Sequence, residues 1–403
     1  MSIVRPFAGL RPPKDKVQRL ACPPYDVVST DEASAFAAGN PMCFFHVSRP
    51  EIDLPGVDEH SAGVYERGVA NLAAFKREGW LVRDPAPCFY LYRQRDKGHS
   101  QTGLVAAASV AEYQRGLIKK HELTRVDKED DRTRHIDSLD ANDEPVFLTY
   151  RARPSIDALV AGHATREPAY DFTVGNVTHT FWVIDGAADI AALGREFDAL
   201  PTLYIADGHH RSAAASRVHD LRTGRGGAHD AFLALLYPHD QLQILPYNRL
   251  VADLHGQTPV RFLERVGERF SCAPSTLKQP PHLHDFAMYL GGQWHTLTAR
   301  DGTFDAKHPV DSLDVSILQA NLLAPILGVA DPRKDKRIDF VGGSRGTSEL
   351  ERRVDSGEMK VAFSMFPTRV EQLIAIADAG AIMPPKSTWF EPKPRSGLVL
   401  HPF

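Results

Sequence analysis

Apolar positions along the chain fall into short runs that alternate with stretches of helical spacing. Cys88–Arg93 and Gly103–Val110 read as two strands joined by the polar turn Asp96-Lys97-Gly98. Pro145–Tyr150, Val177–Ile184, Leu203–Ala206, Phe232–Tyr237 and Gln241–Leu245 read as further strands. Tyr65, Val69, Leu72 and Phe75 share one stripe of a helix over Asp58–Glu78, which Gly79 ends. Ser155–Ala161 and Ala187–Leu200 predict two more helices. The last third alternates again: strand Ile338–Val341, helix Ser348–Val354, strand Val361–Phe366, helix Thr368–Ala379. Both of those helices open on a Ser/Thr-x-x-Glu capping box, Ser348 with Glu351 and Thr368 with Glu371.

This alternation predicts an α/β fold with a mixed sheet core and a second α/β subdomain. With 403 residues, two domains are expected, divided as 1–245 and 246–403. A net charge of −4 gives no basic excess for general nucleic-acid binding. The four cysteines, Cys22, Cys43, Cys88 and Cys272, form no metal-binding or disulfide pattern, which favours a reducing compartment. The N-terminal residues MSIVRPFAGLRPPKDK lack the apolar run of a secretory leader, and no stretch reaches the length of a membrane span. A cytoplasmic protein without membrane or nucleic-acid partners is expected.

Candidate chemistry concentrates in LYIADGHHRSAAASR, Leu203–Arg217. A buried strand ends at Ala206, and Ala213–Ala215 look like the inside of a closely packed helix. Between them stand Asp207, Gly208, His209, His210 and Arg211. The first N–H groups of a helix lack intrahelical partners and carry the positive end of its dipole. Gly208 lets a phosphate approach that backbone, and His209, His210 and Arg211 add donors. Asp207 has the opposite sign and suits a Mg²⁺ ion or the proton of a hydroxyl nucleophile. The alternative is a plain helix cap with solvated histidines. A zinc site on the adjacent pair His209-His210 fits less well, because neighbours on a helix point to different sides.

A second cluster, KKHELTRVDKEDDRTRH, supplies His121 and Glu122. Glu122 is a candidate base for a hydroxyl nucleophile, with His121 or Thr124 positioning substrate. Lys128 and Arg132, four apart, would share a helical face able to meet phosphates. The other reading of this run is a solvated charged helix. Pro384-Pro385-Lys386-Ser387 is a stiff turn able to hold Lys386 and Ser387 toward a ligand, although no P-loop precedes it. Gly342–Thr347 reads as a strand-to-helix turn. Asn142 and Arg249 are candidates for a substrate carboxylate or phosphate.

DGHHRSAAA resembles the phosphate-binding box of the ParB/sulfiredoxin-like superfamily, whose free-serine kinases carry a similar Asp-Gly-His-His-Arg box. A longer series resembles the family known as domain of unknown function 1015. It comprises CPPYDVVS, KKHELT, NDEPVFLTY, YIADGHHRSAA, PYNRLV and MPPKSTWFEPKPRSGLV, in that order. Members are often encoded near serine-biosynthesis enzymes. Together the resemblances imply a ParB/sulfiredoxin-like nucleotide-binding part and phosphoryl transfer on a small hydroxy amino acid. The expected activity is a free-serine kinase using ATP or ADP with Mg²⁺. Its catalytic residues would be Glu122, Asp207 and His121. Gly208, His209, His210 and Arg211 would hold the nucleotide. Asn142, Arg249, Lys386 and Ser387 would contact serine or phosphoserine, and Asp207 would take the metal. A phosphoserine phosphatase at the same site and a nucleotide-sensing module without turnover are the alternatives.

Overall fold

Ala231–Pro238, AFLALLYP, is buried at every position and forms a central strand of a large mixed sheet. A strand covered on both faces loses the usual in-out alternation and reads as an unbroken apolar run. The computed structural model describes residues 3–96 and 98–403. Lys97, in the turn predicted between the first two strands, lies outside the described residues.

The chain forms two compact units, Met1–Leu242 with Pro392–Phe403, and Gln243–Glu391. In the first unit the main elements are β1 (Val4–Arg5), α1 (Ala62–Arg77), β2 (Phe89–Asp96), β3 (His99–Ser109) and β4 (Ile118–Lys119). They continue with α2 (Val126–Leu139), β5 (Val146–Tyr150), α3 (Pro154–His163), β6 (Tyr170–Val174), β7 (Val177–Ile184) and α4 (Ala187–Asp198). Next come β8 (Leu203–Asp207), α5 (His209–Leu221) and β9 (Ala231–Pro238). The sheet order is β4-β8-β5-β9-β3-β2-β7-β6, with β1 beside β3. The pairs β4–β8 and β5–β9 are parallel, and the other pairs are antiparallel. An irregularity between Ile205 and Asp207 shifts the register of β8 on β5 just where β8 ends.

Ile156 of α3 and Leu193 and Phe197 of α4 pack with Leu91, Leu148, Ile205 and Leu236 of the sheet. At roughly 1.5–3 kcal/mol for each large apolar side chain, this cluster is a main source of the unit's stability. The small side chains of α5 allow close approach: Ala214 is fully buried against Ile136 of α2 and Val218. In α1 the buried stripe is Val64, Tyr65, Gly68, Leu72 and Phe75. Val69, assigned to that stripe from its spacing, is 40% exposed. Gly68 takes its place because a side chain there would strike Pro50.

The second unit holds β10 (Tyr247–Val251), α6 (Pro259–Arg269), β11 (Phe270–Ser275), β12 (Asp285–Leu290) and β13 (Gln293–Ala299). It continues with β14 (Ile338–Gly342), α7 (Gly346–Asp355), β15 (Val361–Met365) and α8 (Val370–Asp378). Its sheet runs β11-β13-β12-β15-β10-β14. Neither predicted capping box forms. Ser348 and Glu351 lie inside α7, where Glu351 accepts a hydrogen bond from Trp294 Nε1 at 2.8 Å. Thr368 instead donates its hydroxyl to the carbonyl of Ser387 at 2.8 Å. The α8 start is capped one residue later, by Gln372 accepting from the Arg369 N–H at 3.0 Å. In each case a tertiary partner outcompetes the local cap.

Candidate functional site

Strand β8 delivers Asp207 to the start of α5, and Gly208 makes the turn with φ of +92°. A Cβ at Gly208 would lie 2.9 Å from Arg211 Nε, so glycine serves both the left-handed backbone and the close approach of Arg211. The Gly208 N–H donates to Asp207 Oδ1 at 2.8 Å. Asp207 is therefore not a simple cap of the turns beyond it. Its Oδ2 accepts from Lys393 Nζ at 2.6 Å, and Arg211 Nη2 stands 3.9 Å from Oδ1. Burial alone would raise the Asp207 pKa. The Lys393 and Arg211 charges outweigh that and hold it well below the usual carboxylate range.

Arg211 is buried. It donates to the Pro145 carbonyl and stands 3.5 Å from Asp26 Oδ2. Its neighbour Glu144 is also buried and accepts the Ser396 hydroxyl at 2.7 Å. With Tyr25, Arg132 and Asn142, both residues line one small cavity. Arg132 lies over the Tyr25 ring at 4.4 Å and pairs with Asp131 at 2.7 Å. Lys128, offered with Arg132 as a shared face, is exposed. Asn142 accepts from the Leu233 N–H at 3.3 Å and lies 3.3 Å from His401 Nδ1.

Burial, then the Asp143 charge, pushes the Glu144 carboxyl up to about 8. An unfolded glutamate titrates near ~4.3, so across that interval the folded chain holds a proton that the unfolded chain releases. Stability therefore falls as pH rises through this window. Glu144→Gln is expected to raise stability by about 2 kcal/mol near pH ~8 and by less near pH ~5, as read by urea unfolding at both.

The two predicted clusters meet at the first turn of α5. His121 and His209 are buried and pack edge to face, with ring centres 4.5 Å apart. The His121 backbone N–H donates to His209 Nε2 at 3.4 Å. On its other side His209 Nδ1 stands 3.7 Å from Glu122 Oε2. His210 turns away and accepts from the Arg125 N–H at 3.0 Å. Burial keeps both inner rings neutral. The His121 pKa falls to about 4, and that of His209 falls well below its usual value.

Arg249, Lys386 and Ser387 belong to the second unit and cluster there. Arg249 donates to the carbonyls of Tyr247 and Lys386, the latter at 3.1 Å. Ser387 donates its hydroxyl to the Pro384 carbonyl at 2.6 Å. Lys386, with φ of +58°, places its ammonium over the Tyr247 ring at 5.4 Å.

Lys393, Glu144 and Ser396 were not singled out from the sequence. The signal was present, since all three lie in the family segments NDEPVFLTY and MPPKSTWFEPKPRSGLV. Asp207 does not fit a resident Mg²⁺ ion. Magnesium prefers oxygen ligands and retained waters, whereas both Asp207 oxygens face cationic or N–H donors.

Taken together, these features define a mixed α/β protein with a charged strand-to-helix junction. Residues 4–316 match the family described as Protein of unknown function (DUF1015), and the chain belongs to that family. None of the curated proteins matches the chain. Among solved structures, a free serine kinase in complex with AMP is 11% identical, with 72% of this chain and 86% of that chain covered and a TM-score of 0.36. SbnI with a C-terminal truncation, from Staphylococcus aureus, is 12% identical over 71% of this chain and 82% of its own, with a TM-score of 0.37. A conserved hypothetical protein from Pyrococcus furiosus is 12% identical over 72% and 90%, with a TM-score of 0.35. No helix among the described residues is long and apolar enough to cross a membrane.

Proposed function

We propose that the protein is a nucleotide-dependent phosphotransferase acting on the hydroxyl of a small amino acid, with free serine as the first candidate. One observation carries the reading: a carboxylate, Glu122, and two cations, Lys393 and Arg211, flank the same first turn of α5. Phosphoryl transfer to a hydroxyl needs a proton acceptor beside the nucleophile and positive charge on the phosphates. The backbone N–H groups of that turn add the positive end of the helix dipole.

In this reading Gly208, His209 and His210 present the helix start to the nucleotide phosphates, with Arg211 behind them. Lys393 exchanges Asp207 for a phosphate oxygen as the nucleotide enters. Glu122 takes the serine hydroxyl proton, and the serine oxygen forms a bond to the terminal phosphorus. The bond from that phosphorus to the bridging oxygen breaks, giving O-phosphoserine and a nucleotide one phosphate shorter. Asp207 is a weak base, because its pKa is held low by its cations, so its role is to hold Lys393 until the nucleotide enters. His121 supports the His209 ring. Any magnesium enters with the nucleotide, as part of the substrate.

Phosphorus NMR of the protein with serine and either ATP or ADP plus Mg²⁺ tests this directly. A serine-dependent phosphomonoester signal is the expected result. No such signal with either nucleotide would overturn the kinase reading. Inorganic phosphate released from phosphoserine alone would assign a phosphatase, and nucleotide binding with no product would assign a sensor.

A further inference from the structure

We propose that His121, Glu122 and His209 form a binding site for a divalent transition-metal ion of the zinc class, and that the bound ion inhibits the enzyme by engaging Glu122. One ligand atom from each of the three residues lies within 4.8 Å of the other two. Two imidazoles and one carboxylate are the donors of three-ligand zinc sites that keep one position open. Bonds of about 2.0–2.2 Å in tetrahedral geometry place neighbouring ligand atoms roughly 3.4 Å apart. The 3.7 Å between His209 Nδ1 and Glu122 Oε2 is already close to that. Glu122, with its side chain 46% exposed, has room to complete the closure.

The second observation is the state of His121. Its Nδ1 is buried and has no hydrogen-bond partner, while the ring is hydrogen-bonded to the Ile205 backbone. A donor bond to the Ile205 carbonyl fixes the proton on the other nitrogen and leaves Nδ1 a bare lone pair. Leaving such an acceptor buried without a partner is unfavourable, and a metal ion removes that cost. The carbonyl contact is also the kind of outer support that orients metal-binding histidines. His209 makes an adjustment on binding: ligation through Nδ1 moves its proton to Nε2, so the long 3.4 Å bond from the His121 N–H is given up. The nitrogen-rich donor set selects a zinc-class ion over magnesium, which prefers oxygen.

The inhibitory part rests on the proposed role of Glu122 as base, because a carboxylate bound to a metal cannot accept the serine proton. The test uses the full chain, stripped of metal by a chelator that is then removed. Cobalt(II) is titrated in while visible absorption is recorded. A saturable one-to-one band, displaced by zinc and lost in both His121→Ala and Glu122→Ala, is expected. Glu122 is exposed, so its variant keeps the test valid where His121→Ala fails to fold. No band, or a band unchanged in Glu122→Ala, overturns the site. In a separate arm, zinc at the concentration that displaces cobalt should lower phosphomonoester formation by about a hundredfold. Unchanged transfer with the site filled overturns inhibition alone. A cobalt band without transfer under any condition leaves the metal site standing and removes the kinase reading. Transfer without a cobalt band does the reverse.

Discussion

Replacing Glu122 with glutamine should lower serine-dependent phosphomonoester formation by about 10²–10⁴-fold, the usual contribution of a positioned general base. Glutamine keeps the size and the hydrogen-bonding reach of the side chain but cannot accept a proton. The change is local, because Glu122 sits at the surface of the site, 3.7 Å from His209 Nδ1. Nucleotide affinity should stay within about threefold, since the first turn of α5 and its cations are untouched. Single-turnover rates by phosphorus NMR and ADP affinity by calorimetry separate the two effects. Equal loss of rate and of nucleotide binding would make Glu122 part of the phosphate site. An unchanged rate would move the base elsewhere.

Much of the framework was legible because its signals are local. Val177–Ile184 was read from its apolar and β-branched content and has those bounds in the structure. The mixed α/β class followed from the alternation of strand and helix patterns, and the fold has it. What escaped was decided by partners distant in sequence. The two capping boxes look correct locally, yet Glu351 turns to Trp294 and Thr368 to Ser387. Val69 fits the helical stripe by period, but Gly68 faces the tight contact with Pro50. At the site, the motif DGHHR reveals Asp207 and Arg211 as charges but not what neutralises them. Lys393 is 186 positions away, in a C-terminal segment that folds with the first unit. Nor can spacing show that His209 finds its ring partner in His121 rather than in the adjacent His210. Pairings of this kind come from strand order, which a single sequence does not encode in any local pattern.

Lys393→Met should destabilise the protein by about 2 kcal/mol at neutral pH and move its acid unfolding to higher pH. The pair is short, at 2.6 Å, and its side chains are 17% and 33% exposed. A charged hydrogen bond is worth about 1.5–3 kcal/mol, and losing one partner of a fully buried pair costs about 3–5. Partial exposure of Asp207 lets solvent screen the charge left behind, which keeps the estimate at the lower end. The pH effect has a definite sign. The folded pKa of Asp207 lies below its unfolded value near ~3.9, so its contribution is present above that pH and is lost as pH falls toward the folded value. Without Lys393, the strongest charge left to oppose desolvation is Arg211 at 3.9 Å, and the carboxyl titrates higher. Urea unfolding of Lys393→Met, Asp207→Asn and the double variant, at pH ~7 and ~4, measures the coupling directly. The double variant should recover part of the loss, because no charge is then left unpaired. The same three proteins also separate the roles of Asp207. If the carboxylate only holds Lys393 in place, Asp207→Asn frees that ammonium for phosphate and nucleotide affinity is kept or raised. If Asp207 itself holds a metal on the nucleotide, the same substitution lowers affinity in a magnesium-dependent way, and the anchoring role is refuted.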